Sequence, residues 1–184
     1  MSSPSARRPV ICVIGSGSEP WIELADSLGR MLASMDVHLL TGGGRGAMES
    51  VSRAFHDTSP RAGSVLGVIP GSVDPGFVHA AKPGYPNPYV EIVIRTHLPL
   101  SGEQGTDPMS RNHINILSAD AVIALPGGPG TVSEAQLALR YRKPILLFGP
   151  REAFGAFPPA IERTEDLSRV SDAVRSWVGR VGMG

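Results

Sequence analysis

Short apolar, β-branched runs alternate along the chain with longer stretches in which apolar residues recur every three or four positions. The run Val10-Ile11-Cys12-Val13-Ile14 predicts a strand. Residues 21–35 predict a helix whose Ile22, Leu24, Ala25, Leu28, Met31 and Leu32 share one broad face. The same reading gives a strand over 37–40, a helix over 46–56, and a strand over 64–69 closed by Pro70-Gly71. Residues 72–88 are rich in Gly and Pro and predict irregular structure. A strand over 90–95 follows, then a polar loop over 101–108 of the kind that covers a site. The rest predicts a helix over 109–118, a buried strand over 121–125, a helix over 131–141 and a strand over 144–148. A short edge strand over 161–164 and an amphipathic helix over 167–178 close the chain.

Strands alternating with helices through short turns imply an α/β fold, a doubly wound, mostly parallel sheet with helices on both faces. The 184 residues show no internal repeat or linker. The expected organisation is a flexible N-terminus over 1–9 and a single domain over 10–181. In such sheets ligands bind beyond the carboxyl ends of the strands, where the strand order reverses.

Composition narrows the partners. Seventeen basic and seventeen acidic side chains cancel and no Lys/Arg-rich run exists, so a nucleic-acid partner is not expected. No apolar run reaches membrane-spanning length, and the polar start of the chain lacks the apolar core of a signal peptide. The single cysteine, Cys12, lies inside the first apolar run and reads as a buried thiol, so a reducing cytoplasm is the expected location.

The candidate chemistry lies in three glycine-rich turns, each directly after a predicted strand: Gly15-Ser16-Gly17-Ser18, Thr41-Gly42-Gly43-Gly44-Arg45-Gly46, and Pro126-Gly127-Gly128-Pro129-Gly130-Thr131. Glycines let backbone amides approach an anion without a Cβ in the way, and a helix N-terminus adds unpaired N–H groups with partial positive charge. Gly42-x-Gly44-x-x-Ala47 fits a loose dinucleotide fingerprint, but that pattern belongs after the first strand, where Pro20 stands in place of a third glycine. No Gly-Lys-Ser/Thr follows any of the turns, which excludes a Walker-type loop. Three such turns at one sheet edge point to a shared phosphate site built from Gly15, Ser16, Gly17, Gly42, Gly43, Gly44, Gly127, Gly128, Gly130 and Thr131.

Thr41-Gly42-Gly43-Gly44-Arg45-Gly46-Ala47-Met48-Glu49, followed by Pro126-Gly127-Gly128-Pro129-Gly130-Thr131-Val132-Ser133-Glu134, resembles the LOG family. These are cytokinin riboside 5′-monophosphate phosphoribohydrolases, often mislabelled lysine decarboxylases. The chain is also similar to the related molybdenum cofactor carrier proteins, and the resemblance runs from about residue 10 to 148. It implies a Rossmann-like fold, a homodimer or higher homo-oligomer, and cleavage of the N-glycosidic bond of a nucleoside 5′-monophosphate with no cofactor required. It places the family's catalytic pair on Arg111 and Glu134, with Gly127 to Thr131 holding phosphate and Ser16 and Gly17 lining the opposite wall. The enzymes follow their arginine with lysine, whereas Asn112 stands here. The Met109-Ser110-Arg111-Asn112-His113-Ile114-Asn115 and Gly46-Ala47-Met48-Glu49-Ser50 stretches are closer to the carrier branch, while Leu125-Pro126 is the enzyme-like spelling, so the sequence sits between the two. The ligand is therefore a nucleotide to be hydrolysed or, alternatively, a carried molybdenum cofactor, other phosphorylated pterin or nucleotide.

The plain alternatives for these residues are specific. Glu134 complements a helix dipole, Arg111 is a solvated first-turn residue, Arg45 is a surface group, and Asp120 caps the turn before its strand. His113 reads as interface or core. His56, His79 and His97 lack ligand spacing, so no metal site is expected. Lys82 and Lys143 stand beside prolines, poorly placed to form a Schiff base, which disfavours pyridoxal decarboxylation. Apolar residues on the two helices flanking the site (Ile114, Ile116, Leu117, Ala135, Leu137, Leu139) predict that both helices face a second copy of the chain.

Overall fold

The computed structural model describes residues 7–72 and 82–181. His79 and most of the stretch expected to be irregular lie outside them, and residues 82–88 form no helix or strand. The described residues form one seven-stranded parallel sheet: β1 (Val10–Ile14), β2 (His38–Thr41), β3 (Val65–Ile69), β4 (Ile92–Arg95), β5 (Ala121–Ala124), β6 (Ile145–Phe148) and β7 (Arg163–Thr164). The spatial order is β4-β3-β2-β1-β5-β6-β7. Strand order reverses between β1 and β5, which leaves a crevice at their carboxyl ends.

β1 is central, and its side chains divide by alternation. Ile11 and Val13 enter one core with α1 (Ile22–Ala33), α2 (Ala47–His56) and α5 (Leu167–Val181). Cys12 and Ile14 enter the opposite core with α3 (Asn112–Ser118) and α4 (Pro129–Arg140). β5 divides the same way, Ala121 and Ile123 against Val122 and Ala124. Both faces are therefore covered, as continuous rather than alternating hydrophobicity in these strands implies. α1 and α2 approach closely at Gly29, where a Cβ would lie 2.7 Å from the Ala54 Cβ and from the Val51 carbonyl oxygen.

The element boundaries differ from expectation where local chemistry intervenes. α3 begins at Asn112 rather than at residue 109, because the Ser110 Oγ accepts the Asn112 N–H (3.2 Å) and residues 100 and 110 are bridged backbone to backbone. α4 begins earlier than residue 131, with Pro129 in its first turn, where a missing N–H costs nothing. The 3₁₀ turn Arg151–Phe154 had no periodic signal; it inserts Phe154 against Phe157 in the second core. Arg7 bonds the Asp120 carboxylate through both terminal nitrogens, Arg8 pairs with Asp36, and the Pro9 carbonyl accepts the His38 N–H. Asp120 also accepts the Val10 N–H, so it ties β5 to the start of β1 rather than capping its own turn. Among the described residues no helix is long and apolar enough to cross a membrane.

Candidate functional site

The three glycine turns meet at the carboxyl ends of β1, β2 and β5 and are joined through one residue. Ser16 N–H donates to the Pro126 carbonyl (3.1 Å), and the Ser16 carbonyl accepts the Ala47 N–H (2.9 Å). The Ser16 hydroxyl turns into its own loop, accepting the Ser18 and Glu19 amides. At Gly127 a Cβ would overlap Thr131 and lie 2.9 Å from the Ser16 nitrogen, so only glycine lets the first and third turns close together. α4 starts at Gly128, which offers no side chain to cap the helix, so the first-turn amides of Gly130 and Thr131 are left for an anion.

A cavity of about 370 Å³ lies over this junction, within the usual range for small-ligand sites. Its floor and one wall are Gly15, Ser16, Gly17, Gly128, Gly130 and Thr131. Arg111, Asn112, Glu134, Met48, Tyr85, Ser101 and Gly102 also line it. A larger hollow, about 540 Å³, lies among Gly149, Arg151, Arg163, Thr164, Glu165 and Asp166, but no glycine-rich helix start faces it. Size does not identify the site; the convergence of backbone amides with a buried charge pair does.

Arg111 and Glu134 are both buried, 4% and 7% exposed. Arg111 Nη1 stands 3.9 Å from Glu134 Oε1, and Arg111 Nε and Nη1 have no hydrogen-bond partner among the described residues. A buried guanidinium with unmet donors is a costly arrangement for the empty protein, and an oxyanion in the cavity relieves it. The solvated alternative for Arg111 does not hold. Glu134 Oε1 accepts the Asn115 Nδ2–H at 3.0 Å. Burial pushes the Glu134 carboxyl above the ordinary glutamate range, against the opposing pull of Arg111 and Asn115. Cys12 lies beneath the pair, its thiol raised well above the usual value, mainly by burial and further by Glu134.

The second turn acts differently from the other two. Gly42, Gly43 and Gly44 do not line the cavity. Gly42 backs the Arg111 guanidinium, where a Cβ would overlap it. Gly43 donates to Thr41 Oγ1 (3.0 Å), and buried Asn87 holds both the Gly43 and the Gly44 carbonyl oxygens. Gly44 lies against Met48 and Tyr85. Gly127 also sits behind the wall rather than in it. Arg45 is exposed and points away from this cavity's lining. His113 is half-buried, with Nδ1 bonded to the Tyr141 hydroxyl at 2.5 Å.

Several cavity groups were not among the site residues expected from sequence. Tyr85 comes from the Gly/Pro-rich segment and Met48 from α2. The 3₁₀ turn Gly102–Gln104 folds onto α4: Ser133 Oγ bonds the Gly102 carbonyl (3.2 Å), and a Cβ on Gly130 would stand 2.9 Å from the Gly102 Cα. Asn115 closes the 109–115 stretch that resembles the carriers, and its i+4 spacing from Arg111 is the signal that places it beside that residue. Among the described residues no group of three or more His, Cys, Asp or Glu side chains is placed to hold a metal ion.

Sheet order, crevice and glycine turns define a Rossmann-like α/β protein. The chain belongs to the SLOG cluster4 family, whose model matches residues 8–174. It is 33% identical over 175 residues to the cytokinin riboside 5′-monophosphate phosphoribohydrolase LOG7 of Arabidopsis thaliana, covering 90% of this chain and 71% of that protein. The enzyme of the same name from Rhodococcoides fascians is 30% identical over 164 residues, 85% of this chain and 73% of the relative. Among solved structures, the molybdenum cofactor binding protein from the phototrophic bacterium Rippkaea orientalis superposes with a TM-score of 0.71 at 27% identity, covering 94% of this chain and 98% of that one. The molybdenum cofactor carrier protein of Chlamydomonas reinhardtii gives 0.64 at 26% identity, over 94% and 99% of the two chains. Both halves of the resemblance read from the motifs, LOG enzymes and cofactor carriers, are thus met.

Proposed function

We propose that this protein hydrolyses the N-glycosidic bond of a nucleoside 5′-monophosphate, releasing the base and ribose 5-phosphate. The observation that carries the reading is the buried Arg111–Glu134 pair opening into the same cavity as the uncapped start of α4. In this reading the 5′-phosphate rests on the amides of Gly128, Gly130 and Thr131, and Arg111 supplies a fixed positive charge. Breaking the C1′–N bond leaves oxocarbenium character on the ribose, which the Glu134 carboxylate stabilises while orienting the incoming water. The water oxygen bonds C1′, and its proton leaves with the base.

Burial raises the Glu134 carboxyl above its ordinary value, which makes it a better proton acceptor for an incoming water. The relatives named as phosphoribohydrolases support this choice of reaction. The exposed Leu117 of α3 and Leu139 of α4 support a homodimer through these helices. Ile116, Ala135 and Leu137, expected at the same interface, are fully covered within the monomer.

One observation favours a second reading. Asn112 is buried in the cavity wall with its Oδ1 unpartnered, where the enzymes carry a lysine. A neutral acceptor there suits a carrier of molybdenum cofactor or another phosphorylated pterin, and structural relatives named as molybdenum cofactor binding and carrier proteins support that reading. Incubation with a panel of nucleoside 5′-monophosphates, followed by chromatography for free base, tests the primary reading. Base release abolished by Glu134→Gln supports it. Nucleotide bound for hours without cleavage turns the assignment to the carrier.

A further inference from the structure

We infer that Asn115 is a positioning residue for the Glu134 carboxylate: its Nδ2–H holds Oε1, leaves Oε2 to the cavity and favours the ionised form. The inference takes Glu134 as the reacting carboxylate of the function proposed above.

Asn115 is fully buried on α3, one helical turn beyond Arg111, whose carbonyl accepts the Asn115 N–H at 3.1 Å. Residues four apart share a helix face, so α3 presents Glu134 with a cation from one turn and an amide from the next. A buried side-chain amide is unfavourable unless paired, and an apolar residue such as the adjacent Ile116 would serve packing better. Were Asn115 simply joining α3 to α4, both ends of its amide would find partners. Only the end toward Glu134 does: Nδ2 donates at 3.0 Å, while the buried Oδ1 has no partner.

An ionised carboxylate only accepts, so a donor fixed on Oε1 stabilises that form against the protonated one. It also holds the side chain in one rotation, which a group acting on a bound sugar needs. The charged and titratable groups facing Glu134 are Arg111 at the start of α3 and Cys12 on β1. The Cys12 thiol is held neutral far above the carboxyl's range, so Glu134 is the group that titrates. Burial drives its carboxyl toward the neutral form, and Arg111 and Asn115 oppose that.

The test is a carbon-13 NMR titration of the full-length protein labelled at glutamate Cδ, with the Glu134 signal identified by its loss in Glu134→Gln. Asn115→Leu keeps the volume and removes the donor. Its Glu134 midpoint is expected to move up by about one pH unit, the scale of one hydrogen bond to a charged group. The acid limb of base release should move with it, and the KM for nucleotide should not. An unmoved midpoint in a folded Asn115→Leu protein overturns the inference, whatever the turnover. A wild type that releases no base overturns the proposed reaction, and the NMR midpoint still decides the role of Asn115. If Asn115→Leu does not fold, the wild-type Asn115 side-chain amide decides. Its shift must titrate with the Glu134 midpoint and stay flat in Glu134→Gln; an amide that ignores Glu134 overturns the inference.

Discussion

The Arg111 guanidinium lies so close against Gly42 that a methyl group at residue 42 would overlap Nη1, Nη2 and Cζ together. Glycine there leaves room for the arginine, and it does not line the cavity. Gly42→Ala is therefore expected to displace the guanidinium and leave the fold standing. A shift of about 1 Å in a catalytic group costs on the order of a hundredfold in rate. Base release from AMP, measured beside a thermal melt, should show a loss of kcat/KM of that size with a small change in Tm.

Replacement of Glu134 separates binding from chemistry. Glu134→Gln keeps an acceptor for Asn115 and the shape of the wall, so nucleotide affinity by calorimetry should hold within a few-fold. Turnover should fall by about two to four orders of magnitude. A parallel loss of affinity would assign Glu134 to ligand binding instead.

The same carboxyl has a signature in stability. Its folded value is raised above the unfolded one, chiefly by burial. The folded state therefore binds more protons between the two values, and stability falls as pH rises through that window. Above the folded value the cost is complete; below the unfolded value it vanishes. Relative to Glu134→Gln, the wild type should lose stability as pH rises from the ordinary glutamate value through the raised folded value, read from denaturant midpoints at a series of pH values. A difference between the two proteins that does not vary with pH would contradict the raised value.

Gly130 tests how the 102–104 turn is seated. A side chain there meets the Gly102 backbone before it meets any ligand, since a Cβ would stand 2.9 Å from the Gly102 Cα. Gly130→Val should lift the turn from α4, weaken nucleotide binding at least tenfold and speed amide exchange at residues 101–105. Unchanged exchange there would show that the turn yields in place.

The outward side of α3 and α4 retains Leu117 at 51% and Leu139 at 38% exposure. Leu117→Glu with Leu139→Glu should convert the proposed dimer to monomer in sedimentation, because a charge replaces a buried apolar contact on both copies at once. A wild type that sediments as monomer at micromolar concentration would remove this interface.

Much of this architecture was legible because the strands and helices obey different periods. Val10–Ile14 matches its predicted strand at both ends, and the doubly wound sheet follows from alternation alone. The candidate site was legible where one turn supplies its lining, as in Gly128 to Thr131 with Glu134 a turn later. It was hidden where function depends on what the fold brings from afar. Tyr85 reaches the cavity from an irregular segment, and Asn115 looks in sequence like any polar residue of a short helix. The glycines of residues 42–44 carry the same signal as those of 127–130, yet their neighbours Arg111 and Asn87 give them a different task. Motif chemistry alone does not separate a loop that touches a ligand from one that braces a side chain.

The two main-chain bonds of Ser16 have a consequence for what the cavity can accept. Because they run through backbone atoms to Pro126 and Ala47, the proposed anion seat and the glycine turn behind Arg111 are tied together through the first turn. The gap between seat and charge pair then works as a gauge of fixed span, insensitive to side-chain changes around the rim. Under the proposed function, exchanges at Met48 or Tyr85 would retune which ring is welcomed, and a ligand whose phosphate sits one bond nearer or farther from its reacting carbon would fall off the gauge. Selection for the phosphate-to-carbon distance would therefore persist across homologues that differ in the ring they take.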